Sequence, residues 1–171
     1  VLPLFNPLFN PRATPYDVQT LLRKLKYHDC NAENYTCRNP VTVLKKKEAH
    51  CLEGSLLAAA ILSQRYDVRL VNLRASDDED HVLAVFKQDG WYGALSRSSC
   101  DMLEWREPVH STLDSLVRSY RPFYKDLQGN HSLIGYSGLL RPRLIPTGWV
   151  DRTPDLGFVG DMLDALPHTF F

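Results

Sequence analysis

His50-Cys51-Leu52-Glu53-Gly54-Ser55-Leu56-Leu57-Ala58-Ala59-Ala60-Ile61-Leu62 decides how the rest of this 171-residue chain is read. Between Ser55 and Leu62 there is almost no polar side chain, and a helix that is apolar on every side belongs in the middle of a domain. Its start falls near Cys51, after a break around Lys47–His50. Upstream, Thr14-Pro15-Tyr16-Asp17 reads as an N-cap, a proline at the first helical position and an acid in the first turn. Val18, Leu21, Leu22 and Leu25 follow at helical spacing, which predicts an amphipathic helix over 15–27. Asn39-Pro40 opens a second helical stretch that runs through Lys45-Lys46-Lys47.

Downstream of the apolar helix the period changes from 3.6 to 2. Val68–Leu73 reads as a strand and His81–Lys87 as another, with apolar residues on both faces. Gln88-Asp89-Gly90 supplies a hairpin turn and Trp91–Ser96 returns as the antiparallel partner. A hairpin apolar on both faces lies inside a sheet covered on both sides. Arg106-Glu107-Pro108 then predicts a further helix through Val109, Leu113, Leu116, Val117 and Tyr120. Helices first, antiparallel strands next and a helix after them give an α+β fold rather than a doubly wound one.

Composition narrows the function class. Lys and Arg number 20 and so do Asp and Glu, so the chain carries no formal net charge. Binding of nucleic acid through global charge needs an excess of cation, and that is excluded. The longest apolar run, Leu56–Leu62, is far below the roughly 18 residues of a membrane span. Four cysteines at this length do not make a disulfide scaffold. One domain over 1–171 is expected, with proline-rich arms at about 1–14 and 138–171. The first arm repeats Pro-Leu-Phe-Asn, and its Leu4, Phe5, Leu8 and Phe9 are expected to lie on the domain itself. No basic region followed by an apolar stretch marks a secretory leader, so a cytoplasmic location is the expectation.

A cysteine at the start of a buried helix is the strongest chemical signal. Backbone N–H groups and the helix dipole stabilise a thiolate there and present donors to an oxyanion. A nucleophilic cysteine needs a histidine within reach and a third group to orient the ring. His81, at the first position of a central strand, is the candidate base. Ser96 ends the partner strand, which antiparallel pairing brings close to His81, and it is the candidate orienter.

These residues resemble a family. His50-Cys51-Leu52-Glu53-Gly54 followed by the alanine-rich helix is similar to the cysteine motif of the transglutaminase-like superfamily. Asp80-His81-Val82-Leu83-Ala84-Val85-Phe86, then Asp89-Gly90-Trp91-Tyr92-Gly93-Ala94-Leu95-Ser96, resembles its histidine strand, turn and final strand. The resemblance covers about residues 40–100, and the stretch from Arg106 to Tyr120 is similar to the segment after this core in uncharacterised microbial members. It implies a papain-like core and a Cys-His-Asp triad that forms a thioester from an amide and passes it to water or an amine. No cofactor or metal is implied, and the expected partner is a peptide or protein amide, with neither nucleic acid nor membrane. No oligomeric state is assigned.

Cys51 and His81 carry over directly, but Ser96 stands where the family usually has Asp, with Ser98 and Ser99 as near alternatives. A neutral orienter contributes no charge to the imidazolium, a change that costs roughly 10⁴ in kcat in serine proteases. An acid supplied from Asp80, Asp77 or Glu53 would restore that charge. Loss of activity, leaving a peptide-binding module with its groove near Trp91, is the rival reading.

Other residues are read more plainly. His50 is expected to face solvent and Glu53 to cap the helix. Cys30 and Cys37 are expected to be a disulfide or idle thiols rather than metal ligands. The acidic run Asp77-Asp78-Glu79-Asp80 is expected to raise the pKa of His81 and favour an ion pair with Cys51.

Overall fold

The computed structural model describes residues 7–76 and 79–171. Leu4, Phe5, Asp77 and Asp78, on which parts of the arm and acidic-run readings fall, lie outside these residues.

Helix α1 (Pro15–Lys24) begins as its sequence predicts. Thr14 Oγ1 accepts from the Asp17 amide at 3.2 Å and Asp17 Oδ2 accepts from the Thr14 amide at 2.9 Å, a reciprocal capping box. The chain then leaves the helix for a short strand, β1 (Lys26–Tyr27). Helix α2 (Pro40–Lys46) is capped by Asn39, whose Oδ1 accepts from the Thr42 amide at 2.9 Å. Lys47 ends it in the left-handed region at φ 57°. Strand β2 (Glu48–Ala49) pairs in parallel with β1, and α3 (Cys51–Leu62) starts after one further residue.

Helix α3 is the centre of the molecule. Leu56, Leu57, Ala58 and Ala59 are wholly buried, and Leu52, Ile61 and Leu62 nearly so. Burying each Leu or Ile contributes about 1.5–3 kcal/mol. The sheet beside α3 has six antiparallel strands in the order β6-β5-β4-β3-β7-β8. They are β3 (Arg69–Ala75), β4 (His81–Gln88), β5 (Trp91–Leu95), β6 (Arg106–His110), β7 (Leu133–Ser137) and β8 (His168–Phe170). One face, with Leu70, Val82, Ala84, Phe86 and Leu95, joins α1, α2 and α3 in a single core. The other, with Val71, Leu73, Leu83 and Val85, is covered by α4 (Leu113–Arg118) and by Tyr120 and Tyr124. The sheet covered on both sides is therefore present, and the class is α+β. Among the described residues no helix is long and apolar enough to cross a membrane.

Several expectations are corrected: the first helix stops at Lys24 rather than 27, with Lys26–Tyr27 in β1, and Leu8 of the first arm is buried while Phe9 is 75% exposed rather than lying on the domain. The helix expected from Arg106 is strand β6, and α4 begins only after Thr112, whose hydroxyl accepts from the Ser115 amide at 3.0 Å. Pro108 is compatible with a strand because β6 is the edge of the sheet, where a missing N–H breaks no inner ladder. The segment expected as a C-terminal arm is also part of the domain. Leu140, Ile145, Leu156 and Val159 enter the core beside α3, α5 (Phe158–Asp164) buries Leu163 there, and β8 extends the sheet. Proline at 142 opens a short 3₁₀ turn rather than marking an extended tail.

Gly93 of β5 faces Phe86 of β4 across the hairpin. A Cβ at this position would stand 2.5 Å from Phe86 Cζ and 2.9 Å from the Arg106 carbonyl oxygen. The aromatic ring and the β5–β6 approach thus require glycine. Gly93→Ala is expected to destabilise the protein by about 1–3 kcal/mol through overpacking, seen as a lowered urea midpoint with an unchanged slope. An unchanged midpoint would contradict this packing.

Candidate functional site

The first turn of α3 borders a cleft of about 300 Å³ that Tyr27, Tyr35, His50, Cys51 and Val82 help to line. Its geometry rests on Glu53, a carboxylate with no exposed side-chain surface. Oε1 accepts from the Arg38 amide at 2.8 Å, from Arg38 Nε at 2.8 Å and from Thr36 Oγ1 at 2.9 Å. Oε2 accepts from Arg38 Nη2 at 2.8 Å and from the His50 amide at 3.4 Å. Burial pushes this carboxyl pKa upward, but the Arg38 and Thr36 hydrogen bonds outweigh it and hold the group below its ordinary value. Arg38 also reaches Glu48 of β2 through Nη1 at 2.6 Å. Capping is therefore only part of what Glu53 does: it fastens the loop before α2 to the start of α3.

His50 does not face solvent as expected. It is 4% exposed and its Nε2 donates to the Thr36 carbonyl at 2.6 Å. Burial lowers its pKa. Gly54 explains another motif position, since a Cβ there would stand 2.8 Å from Arg97 Cβ.

The backbone amides of Val82 and Leu52 near the Cys51 thiol favour its thiolate, but loss of solvent dominates and pushes its pKa up to about 11. Val82 directly follows His81, so the start of α3 and the start of β4 meet at this thiol. The His81 ring is 5% exposed, and its Nε2 donates to the Leu103 carbonyl at 2.8 Å. That bond leaves Nδ1 as the unprotonated nitrogen. Burial lowers the His81 pKa to about 4 against the opposing effect of the Leu103 carbonyl. Among the described residues no hydrogen bond joins His81 to Cys51.

The expected ion pair is thus replaced by two neutral groups at neutral pH. The pKa of His81 is lowered rather than raised, because burial governs it. Asp80 turns instead to Arg74 Nη1 at 3.1 Å, Asn72 Nδ2 at 3.0 Å and the Ala75 amide at 3.0 Å.

Ser96 does not orient the histidine. Its hydroxyl donates to the Val82 carbonyl at 2.7 Å, and Ser55 Oγ donates to the same oxygen at 2.9 Å. Gln19 clamps the Ser96 backbone from both sides, with its Nε2 donating to the Ser96 carbonyl at 3.0 Å and its Oε1 accepting from the Ser96 amide at 3.1 Å. The ring partner is the Leu103 carbonyl, which has no side-chain signature. Its neighbour Glu104 is wholly buried and accepts from Arg97 Nη1 at 2.8 Å, Arg23 Nε at 3.0 Å and the Ser98 amide at 3.1 Å. Tyr120 Oη donates to the Glu104 carbonyl at 3.0 Å. These bonds fix the segment that presents the Leu103 carbonyl. Sequence reasoning missed Gln19, Arg38 and Glu104; the legible signal was a polar Gln on an otherwise apolar helix face.

Ser98 accepts from the Cys100 amide at 3.0 Å and Ser99 is exposed, so neither stands in for Ser96. All four cysteines are free. Cys30 lies in the same cleft as Cys51, while Cys37 is buried and its thiol pKa is raised by that burial. No protein-family model matches the chain, and no curated protein matches its sequence.

Removing Arg38 leaves the Glu53 carboxylate buried without its cation. Arg38→Ala is expected to cost about 3–5 kcal/mol at pH 7. Glu53 is held below its ordinary carboxyl value, so its contribution is full above that value and fades as pH falls through the lowered one. Urea melts should therefore show a smaller difference between wild type and variant at pH 3 than at pH 7. An equal difference at both would break the assignment.

Proposed function

We propose that this protein is a cysteine-dependent amide-processing enzyme of the transglutaminase-like, papain-like kind, acting on a peptide or protein amide through a thioester on Cys51. The observation that carries this reading is the junction of α3 with β4. There Cys51, at the first position of a buried helix, shares a cleft with Val82, the residue after His81, and the Leu103 carbonyl fixes that histidine ring's tautomer.

The chemistry starts from a neutral pair. Cys51 sulfur attacks the amide carbonyl while its proton passes to His81 Nδ1, and the C–O π electrons move onto oxygen. The N–H groups of Cys51 and Leu52, at the helix start, are the nearest oxyanion donors. Collapse of the tetrahedral intermediate breaks the C–N bond, and the leaving amine takes the proton from His81. Water or a second amine then attacks the thioester, His81 accepts its proton, and the returning thiolate is protonated. Nothing beyond substrate and water is consumed.

A second reading has its own observation. With Ser96 hydrogen-bonded to Val82 and no carboxylate on the His81 ring, the same cleft serves a module that holds a peptide without cleaving it.

An activated acyl ester such as p-nitrophenyl acetate, followed by peptide mapping, separates the two. The enzyme reading expects acetyl-Cys51, at least tenfold less in His81→Gln, which retains a donor for the Leu103 carbonyl, and near wild-type labelling in Ser96→Ala. The exposed Cys100 serves as the internal control. With His81 at about 4 and Cys51 at about 11, the base is unprotonated and the thiol protonated throughout the neutral range. The Cys51 acylation rate should consequently show no inflection between about pH 6 and pH 9. Labelling that tracks exposure alone and ignores His81 would overturn the enzyme reading.

A further inference from the structure

Arg141 and Arg143 are two exposed cations at the opposite end of α3 from Cys51. They border a cleft of about 510 Å³ together with Ala60 and Ser63 of the last helical turn, Tyr66, Arg69 and Trp149. The backbone itself assembles this cluster. An isolated antiparallel bridge joins Leu70 to Leu140, with the Leu70 amide donating to the Leu140 carbonyl at 2.9 Å and the reverse bond at 2.8 Å. That bridge sets Arg69 and Arg141, the adjoining residues, beside one another. The 3₁₀ turn Pro142–Leu144 then holds Arg143 close by.

The charges do not cancel within the cleft. Asp67 is its one acidic lining residue, and both its carboxylate oxygens are engaged by Arg69, Oδ1 by Nε at 3.2 Å and Oδ2 by Nη2 at 2.7 Å. Among the described residues, neither Arg141 nor Arg143 meets a carboxylate at ion-pair distance. Asp67 also feels the Arg141 charge, but one carboxylate against three guanidiniums leaves the cleft net positive. The C-terminal dipole of α3 opposes an anion there, but it amounts to roughly half a charge against two full ones.

Trp149 supplies a second, independent feature. The indole is partly buried against the core, and among the described residues it pairs with no other ring and no cation lies over it. Its loop is pinned by the Val41 amide, which donates to the Val150 carbonyl at 3.1 Å. Tyr66 is less available, since Arg65 lies over its ring at 5.6 Å from the centroid. Guanidinium forks match phosphate oxygens bidentately, and an indole in a cleft wall offers a surface for a planar ring. The volume suits a small molecule.

We infer that this cleft is a binding site for a phosphorylated planar heterocycle, a nucleotide in chemical class, with Arg141 and Arg143 on the phosphates and Trp149 beneath the ring. The site lies about 14 Å along α3 from Cys51, at 1.5 Å per residue, and is separate from the cysteine cleft. Its polarity is local, so it needs none of the global positive charge whose absence excludes nucleic acid.

Calorimetric titration of the full chain with ADP and with inorganic pyrophosphate tests the site. Saturable ADP binding is expected, at least tenfold weaker in Arg141→Ala/Arg143→Ala and weaker in wild type as salt rises from 50 to 200 mM. Trp149→Leu should weaken ADP while leaving pyrophosphate within about twofold. The arginines are exposed, and thermal melts of each variant verify folding. Absence of saturable ADP binding, or equal binding by the folded double-arginine variant, would overturn the proposal. Pyrophosphate binding as tight as ADP, with no effect of Trp149→Leu, would overturn the heterocycle and leave a phosphate site alone.

Discussion

The buried carboxylate of Glu53 is the constraint on which the cysteine cleft depends. Moving a carboxylate out of water costs several kcal/mol even after relaxation, and only charge and hydrogen bonds in good geometry offset it. Here Arg38 contributes its guanidinium and its amide, Thr36 a hydroxyl and His50 an amide. Those donors come from the loop before α2 and from the start of α3, which are separate stretches of chain. Satisfying one charge thus fixes the relative position of the cleft wall and the helix that carries Cys51. Arg38 continues the chain of contacts to Glu48, on the strand that leads into α3.

Glu104 repeats the device on the other flank. It too is wholly buried, with Arg97 and Arg23 as its cations and the Ser98 amide as a further donor. The first carboxylate positions the thiol-bearing helix, and the second positions the segment whose Leu103 carbonyl holds the His81 ring. Neither carboxylate touches the thiol or the imidazole directly. Both act by making alternative placements of those segments leave a buried charge unsatisfied, which is strongly unfavourable.

This division explains what the sequence discloses. Helix α3 is legible because its apolar residues occur on every side, and the β4–β5 hairpin because its strands alternate around Asp89-Gly90. Strand β6 is misread because Val109, Leu113 and Leu116 mimic a helical spacing that in fact spans two elements. Its Pro108 is tolerated only by an edge position that sequence does not reveal. The C-terminal segment is misread because prolines that punctuate turns within a domain have the same spacing as prolines in an arm. At the site, Cys51 and His81 stand out by position, but the group holding the imidazole is a backbone carbonyl that any residue supplies. Ser96 attracts attention by its register, and the structure gives its hydroxyl to Val82 instead. Charge runs mislead for a related reason: adjacency in sequence favours a raised histidine, whereas burial of the ring governs its pKa.

The protonation state that results has a mechanistic consequence. With the thiol pKa raised and the imidazole pKa lowered, moving the proton from sulfur to nitrogen before any bond forms is strongly uphill. A pathway through a free thiolate would carry that cost in full. If the proton moves as the sulfur attacks, the cost falls, because the developing charge passes on to the carbonyl oxygen and its backbone donors. On the proposed reading Cys51 behaves as a serine hydroxyl does, inert at rest and nucleophilic only against a carbonyl already in place. The raised pKa that keeps the resting thiol protonated also slows its reaction with oxidants, which react with thiolate. On that same reading selectivity resides in the cleft that would align the amide, and the start of α3 that borders this cleft is what Glu53 holds.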